Sequence, residues 1–155
     1  MRMSRYTESD IKEEYIISVI GKQTANNEAS EIALTSLGSF KYNGDRAVVM
    51  YYEYDEDNPN IKTKAILNVD GNKLVTMTKT GNIRSQIILE KGKRHLCYYS
   101  MEEGNFTIGI CTEEIDVDLN ENGGCIKAVY TLDVNSNIAS YNTIQVVIEK
   151  IASDK

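Results

Sequence analysis

Short turn signals recur along the chain at the spacing of β-hairpins, and polar and apolar residues alternate in the segments between them. Turns rich in glycine and asparagine between alternating segments are typical of antiparallel hairpins. The clearest are Asn43-Gly44, Asp70-Gly71, Gly81-Asn82, Lys91-Gly92 and Asn122-Gly123. The pattern predicts ten strands, at about 12–23, 30–42, 45–55, 61–69, 73–79, 83–90, 93–101, 105–119, 124–134 and 138–151.

Ten strands in one open sheet would leave two exposed edges, and a closed barrel removes them. The sequence therefore predicts an all-β fold, a single antiparallel up-and-down β-barrel. Many isoleucine, valine, threonine and tyrosine residues support this fold, because such side chains pack well on a pleated surface. The length of 155 residues suits one domain. We expect residues 12–151 to form the barrel and residues 1–11 and 152–155 to form loose tails.

The charge and the absent signals exclude several classes of function. Seventeen basic and twenty-three acidic residues give a net charge of −6, which argues against binding to nucleic acid or to an anionic membrane. No apolar run approaches the roughly 20 residues that span a bilayer, and no secretory signal is visible, so we expect a cytoplasmic protein. Three cysteines without CxxC spacing and one histidine, His95, indicate neither a metal site nor a cofactor.

One predicted strand changes its apolar face midway. In the segment 105–119, Ile108 and Ile110 stand at even positions, whereas Ile115 and Val117 stand at odd positions. A strand can change face only if it contains an extra residue. The sequence therefore predicts a β-bulge near Glu113-Glu114.

Basic residues are concentrated between Ile61 and Arg94, although the whole chain is acidic. If the turns at 70–71, 81–82 and 91–92 each contain two residues, and if the 55–60 loop is symmetric, side chains from successive strands stand opposite one another. The resulting row lies near one end of the sheet and consists of Glu53, Lys62, Lys79, Arg84 and Tyr99. We expect the same face to carry Ile66, Val75, Met77, Ile88, His95 and Cys97. We expect the opposite face to form the core, with Ile61, Ala65, Leu67, Val69, Leu74, Ile83, Ile87, Leu89 and Leu96.

Several of these residues also resemble a known family. Tyr52-Glu53, Lys62-Thr63, Gly92, Tyr99 and the segment 124–132 are similar to the YwiB-like domain-of-unknown-function family of Firmicutes, over about residues 12–150. The resemblance implies a calycin-like barrel, the architecture of lipocalins and fatty-acid-binding proteins, and it implies no particular activity. Lys79 stands where the family has an arginine, and acidic residues replace a family proline after Tyr99.

The row either spreads into solvent as an outward basic surface or receives an anion at the mouth of the barrel, and three functions are compatible with it. The first is non-enzymatic binding of a small, partly apolar anion by a monomer or homodimer. Its anionic end would contact Glu53, Lys62, Lys79, Arg84 and Tyr99, and the rest would contact Tyr52, Met77 and Ile88. The second is a protein-interaction module that uses the basic 61–94 surface against an acidic partner, or against the acidic half of a second copy of the chain. The third is a hydrolase or isomerase with Glu53 and Tyr99 as an acid/base pair. We rank it last and assign no catalytic residues, because the sequence shows no nucleophile with an adjacent base.

Overall fold

The computed structural model describes residues 14–101 and 104–152, which form ten β-strands. The predicted tails lie outside these residues, apart from Ala152. The strands are β1 (Tyr15–Ala25), β2 (Glu28–Tyr42), β3 (Arg46–Tyr54), β4 (Lys62–Asp70), β5 (Leu74–Thr80), β6 (Arg84–Glu90), β7 (Arg94–Met101), β8 (Gly104–Asn120), β9 (Gly123–Val134) and β10 (Asn137–Lys150). Within the described ranges, no helix has the length and apolar character that crossing a membrane requires.

The strands close into a barrel. Each strand pairs antiparallel with the next one in the chain, and β10 returns to pair with β1. In this closing ladder, Tyr15 stands opposite Lys150 and Thr24 stands opposite Tyr141. The predictions of an all-β fold and of an up-and-down barrel of ten strands are confirmed.

The apolar core fills the inside of the barrel. Because successive side chains of a strand point to opposite faces, alternate residues of each strand face inward. Among them, Ile17, Leu67, Ile110 and Ile126 are between 0 and 2% exposed. Burying one such side chain stabilises the fold by about 1.5–3 kcal/mol relative to leaving it in water.

The predicted bulge lies in β8. Thr112 stands opposite Tyr130, but the next register pair joins Glu114 to Val129, so that Glu113 is the extra residue. This insertion brings both Ile110 and Ile115 into the core, although they lie five positions apart. The predicted change of face is therefore confirmed.

Three hairpins have longer turns than the sequence analysis assumed. Three residues separate β4 from β5, β5 from β6 and β6 from β7. Each turn contains a glycine with positive φ (Gly71 at 55°, Gly81 at 143°, Gly92 at 78°), as three-residue hairpin loops commonly require. The extra residue shifts the register, and an odd shift reverses which side chains share a face.

The prediction of the core face was consequently wrong in part. Ala65, Leu67, Val69 and Leu89 belong to the core as expected. Other predicted core residues do not, because Leu96 is 67% exposed and Ile61 is 37% exposed. Residues that had been assigned to the opposite face take their place in the core, namely Val75, Met77 and Cys97.

The two ends of the barrel differ in chemistry. At one end, the Tyr15 and Phe40 rings meet edge to face with centroids 5.4 Å apart, and Phe40 stacks on Tyr42 at 6.4 Å. The Tyr15 hydroxyl donates a hydrogen bond to the Glu121 carbonyl at 3.3 Å. Aromatic rings therefore pack across this end, whereas inward-facing polar side chains occupy the other.

Two ladders of the barrel are incomplete. β2 pairs with β1 from Glu28 to Gly38, but it pairs with β3 only from Gly38 to Tyr42. β6 and β7 pair only through residues 84–86 and 98–100. Beyond that point the Ile88 N–H donates a hydrogen bond to Cys97 Sγ at 3.3 Å.

Candidate functional site

Polar side chains converge on the inner face at the end of the barrel opposite the aromatic cluster. The register places Glu53 opposite Thr63, Lys79 opposite Ser85, and Ser85 opposite Tyr99. Residues opposite one another in a ladder point to the same face of the sheet. We call these five residues, Glu53, Thr63, Lys79, Ser85 and Tyr99, the polar rim.

An ion pair spans the rim. Lys79 Nζ lies 2.9 Å from Glu53 Oε2, and the two side chains are 26% and 25% exposed. Lys79 is on β5 and Glu53 is on β3, so the pair crosses β4. The residue of β4 that stands opposite both Lys79 and Tyr51 is Ala65, whose small side chain is fully buried and leaves space for the lysine.

Buried groups surround this ion pair. The Tyr51 hydroxyl lies 3.5 Å from Glu53 Oε2, and burial together with the nearby carboxylate raises the pKa of Tyr51 above its ordinary value. Thr63 is 7% exposed and Ser85 is 5% exposed, so both rim hydroxyls are largely shielded from water. The next inward-facing residue below Lys79 is Met77, which belongs to the apolar core. The rim therefore combines charge, hydroxyl groups and an apolar floor.

An open cleft adjoins the rim where the β2–β3 ladder stops. It has a volume of about 450 Å³ and is lined by residues 34–37 of β2 and 52–54 of β3. Glu53 lines this cleft and also forms the ion pair with Lys79. A molecule in the cleft could therefore reach the charged pair directly.

The structure divides the predicted row between the two faces of the barrel. Glu53, Lys79, Tyr99 and Met77 share the inner face. Lys62 is exposed, with its Nζ 4.4 Å from the centre of the Tyr52 ring.

The remaining two residues of the predicted set lie elsewhere. Arg84 is exposed and stands opposite Ser100, whereas Ile88 packs against the core beside the incomplete β6–β7 ladder. The predicted opposition of Lys62 to Lys79, of Lys79 to Arg84 and of Arg84 to Tyr99 was wrong, because the turns contain three residues. The predicted opposition of Glu53 to Lys62 was also wrong, because the register of β3 and β4 pairs Lys62 with Tyr54.

A charged pair that the sequence did not predict lies on the outer face. Arg94 Nε and Nη2 donate hydrogen bonds to the two carboxylate oxygens of Asp133, at 2.9 and 2.6 Å. These hydrogen bonds, with a further one from the Ser136 N–H, lower the pKa of Asp133. The pair crosses β8 at Gly109, where a Cβ would collide with the Arg94 guanidinium and the Asp133 carboxylate. A glycine inside a predicted strand was the only signal of this close approach.

A further polar pair lies inside the barrel on β10. The Asn142 amide donates a hydrogen bond to Ser140 Oγ at 3.0 Å, and the two residues are 8% and 2% exposed. Both have the parity of Ile144, Val146 and Ile148, and this apolar alternation along β10 was the signal that could have placed them on the buried face. Among the described residues, no group of three His, Cys, Asp or Glu side chains could hold a metal ion.

A closed ten-stranded antiparallel barrel with a polar rim at one end is the class of protein that this fold and site define. The family model for DUF1934, a domain of unknown function, matches residues 17–146, and the chain belongs to this family. The crystal structure of the ywiB protein from Bacillus subtilis is similar, with a TM-score of 0.74 and 20% sequence identity. The match covers 93% of this chain and 97% of that protein, and it shows a shared fold. Comparison with curated proteins gives no match.

Proposed function

We propose that the polar rim binds a small, partly apolar molecule with an anionic end, and that the protein acts without catalysing a reaction. The observation that carries this proposal is the inward-facing Lys79–Glu53 ion pair above an apolar floor. Pockets for small molecules typically combine apolar walls with a few convergent polar groups. The rim and the adjoining cleft have this composition.

Lys79 is the expected contact for the anionic end. An ammonium group has three N–H donors, and the ion pair with Glu53 leaves donors available for a second acceptor. The hydroxyl groups of Ser85 and Tyr99 lie on the same face and can donate hydrogen bonds to the same anion. Met77, the next inward-facing residue on β5, offers an apolar surface to the apolar part of the ligand. The Glu53 carboxylate competes with the anionic end of the ligand for Lys79. Because a carboxylate accepts hydrogen bonds, Glu53 also favours ligands that carry a hydrogen-bond donor next to the anionic end.

The four other predicted contacts have a smaller part in this proposal. Lys62 and Arg84 are exposed, and Tyr52 stacks under the Lys62 ammonium group. Tyr52 also lines the cleft, where it can contact the ligand from the side. Ile88 packs against the core away from the rim, so we expect no contact from it.

Native mass spectrometry on protein purified gently at low salt is the first experiment. The proposal predicts a mass excess of a few hundred daltons that disappears on denaturation. A titration with anilinonaphthalene sulfonate, an apolar anion with a fluorescence readout, then measures affinity directly.

Lys79→Met and Lys62→Met form a matched pair for this titration. Both substitutions remove one lysine charge near the same end of the barrel, but only Lys79 faces inward. A hydrogen bond to a charged group contributes about 1.5–3 kcal/mol, so Lys79→Met should raise the Kd about tenfold or more. Lys62→Met should leave it within about twofold. Equal Kd values for both variants would refute the assignment of the rim.

The two alternative functions have less support from the geometry. An interaction surface on residues 61–94 would use exposed basic side chains, but Lys79, Lys93 and Arg94 are each paired with a carboxylate. An acid/base enzyme would use Glu53 and Tyr99, which share the inner face of the rim. Salt-sensitive binding of an acidic protein would favour the first alternative, and turnover abolished by Glu53→Gln would favour the second.

A further inference from the structure

One long strand edge of the barrel has no pairing strand among residues 14–101 and 104–152. β2 pairs with β1 along residues 28–38, but between Glu28 and Leu37 no described strand pairs with its other edge. Eight of these ten residues are exposed, and the other two, Leu34 and Ser36, are intermediate. An unpaired edge presents a row of backbone N–H and C=O groups to solvent, and such a row can pair with another strand.

The sequence of this edge offers little protection against pairing. Natural edge strands commonly carry lysine, proline or a bulge that prevents association. Residues 32–37 read Ile-Ala-Leu-Thr-Ser-Leu, without charge, proline or glycine. Ile32 is 72% exposed and Leu37 is 50% exposed. Uncharged segments of about six residues with β-branched and apolar side chains are effective pairing segments.

We propose that the partner of this edge is a second copy of the same chain, which pairs β2 with β2 in antiparallel orientation around a two-fold axis. A two-fold interface must be self-complementary, because the same patch forms both halves. This edge meets that condition, since its central segment is uncharged and pairs with itself without opposing like charges. The two barrels then share one continuous sheet.

Symmetry restricts the register of this pairing. A two-fold axis perpendicular to the sheet keeps every side chain on the same face, so a residue can stand opposite only a residue of the same parity in the partner. One residue must then stand opposite its own copy, and the axis passes between these two. An axis at Ala33 pairs residues 29–37 of both chains along the edge that no described strand pairs with. Because residues 34–37 also line the cleft, the partner strand and a ligand in the cleft compete for this part of the edge. Ile32 then stands opposite the partner's Leu34, and Thr35 stands opposite the partner's Glu31. This register covers the exposed Ile32 with an apolar side chain and separates the two Glu31 carboxylates.

The oligomeric state of the full chain tests the proposal. A contact between two strands buries less than the roughly 1,600 Å² of a standard interface, so the dimer should depend on concentration. Sedimentation equilibrium over a range from micromolar to near-millimolar protein should show the mass rise from 17.4 kDa toward twice that value. A mass of one chain across the whole range would overturn the proposal.

A charge at the edge should abolish this association. Ile32→Lys places an ammonium group opposite the partner's Leu34, and the exposure of Ile32 means that the monomer can accommodate the substitution. Thr143→Lys is the matched control, because Thr143 is exposed on β10 between two paired strands. We expect Ile32→Lys to weaken dimerisation at least tenfold and Thr143→Lys to leave it unchanged. Equal weakening by both variants would locate the interface elsewhere and overturn the proposal.

A cysteine trap tests the register. Ala33→Cys places two cysteines directly opposite each other at the axis, within the Cα distance of about 4.4–6.8 Å that a disulfide requires. In Thr35→Cys the two cysteines are offset by four positions along the strand, about 13 Å, and cannot be bridged. Mild oxidation should therefore give a covalent dimer with Ala33→Cys but not with Thr35→Cys or the unaltered chain. Failure of Ala33→Cys to cross-link, or equal cross-linking of both variants, would refute pairing around Ala33.

Discussion

Replacing Thr112 by valine should make the protein more stable. Thr112 lies on β8, is 1% exposed, and its hydroxyl has no hydrogen-bond partner anywhere in the described chain. A buried hydroxyl without a partner costs about 1–3 kcal/mol of desolvation that folding does not recover. Valine has nearly the same shape and no polar group, so Thr112→Val should raise the free energy of unfolding by about that amount. For a chain of this size, the Tm should rise by about 2–4 °C for each kcal/mol.

Urea denaturation monitored by circular dichroism measures this effect, with three further variants as controls. Thr107→Val makes the same exchange at an exposed position of β8 and so reports the strand preference of valine alone. Thr112→Ser keeps the hydroxyl and removes a methyl group, so it should destabilise. Ser39→Ala removes a second buried hydroxyl that lacks a partner among the described residues, and it should be neutral or stabilising.

Destabilisation by Thr112→Val, without destabilisation by Thr107→Val, would refute an unpaired hydroxyl at Thr112. That result would mean that the hydroxyl has a favourable partner in solution, for example a buried water molecule. An equal gain in both variants would attribute the effect to strand preference instead.

Three further predictions concern stability. Gly109→Ala should lower the Tm because its Cβ collides with the Arg94–Asp133 pair, whereas Gly21→Ala, where nothing lies within 4 Å, should be neutral or stabilising by calorimetry. The pKa of Asp133 is lower in the folded protein than its ordinary value of 3.8, because Arg94 stabilises the carboxylate. The ionised carboxylate therefore stabilises the fold above pH 3.8, and this stabilisation is lost as acid protonates Asp133. Acid unfolding should therefore be shallower for Asp133→Asn, and an identical acid profile would contradict the assignment. The pKa of Tyr51 is raised above its ordinary value of 10.0, so at alkaline pH the ionisation of this tyrosine favours the unfolded chain. Tyr51→Phe should therefore unfold at a higher pH than the unaltered protein, and equal alkaline midpoints would contradict this prediction.

The sequence predicts the strands, their order and the closure of this barrel, because these depend on alternation and on turn positions. It also predicts the bulge at Glu113, since only an extra residue lets Ile110 and Ile115 both face the core. These features rest on local patterns that extend over many residues. A turn or strand boundary that is wrong by one residue leaves the number and the order of the strands unchanged.

The site depends on features that the sequence specifies less strongly. A turn such as Gly81-Asn82 fits two or three residues equally well, and the choice decides whether Lys79 and Arg84 share one face of the sheet or lie on opposite faces. The Arg94–Asp133 pair joins positions 39 residues apart. Only the combined registers of two ladders bring its members together, and Gly109 marks the close approach without identifying the two partners.

The closing ladder between β1 and β10 also constrains how the chain is made. Tyr15 pairs with Lys150, and the Ile151 N–H donates a hydrogen bond to the Glu14 carbonyl at 2.9 Å. During synthesis β1 leaves the ribosome early, whereas β10 follows more than a hundred residues later, a delay of roughly 10 seconds at typical elongation rates. Until then β1 has a hairpin partner on one side only, and its other edge is open to strands of neighbouring nascent chains. Fast translation or a chaperone that shields β1 should therefore increase the yield of correctly closed barrels.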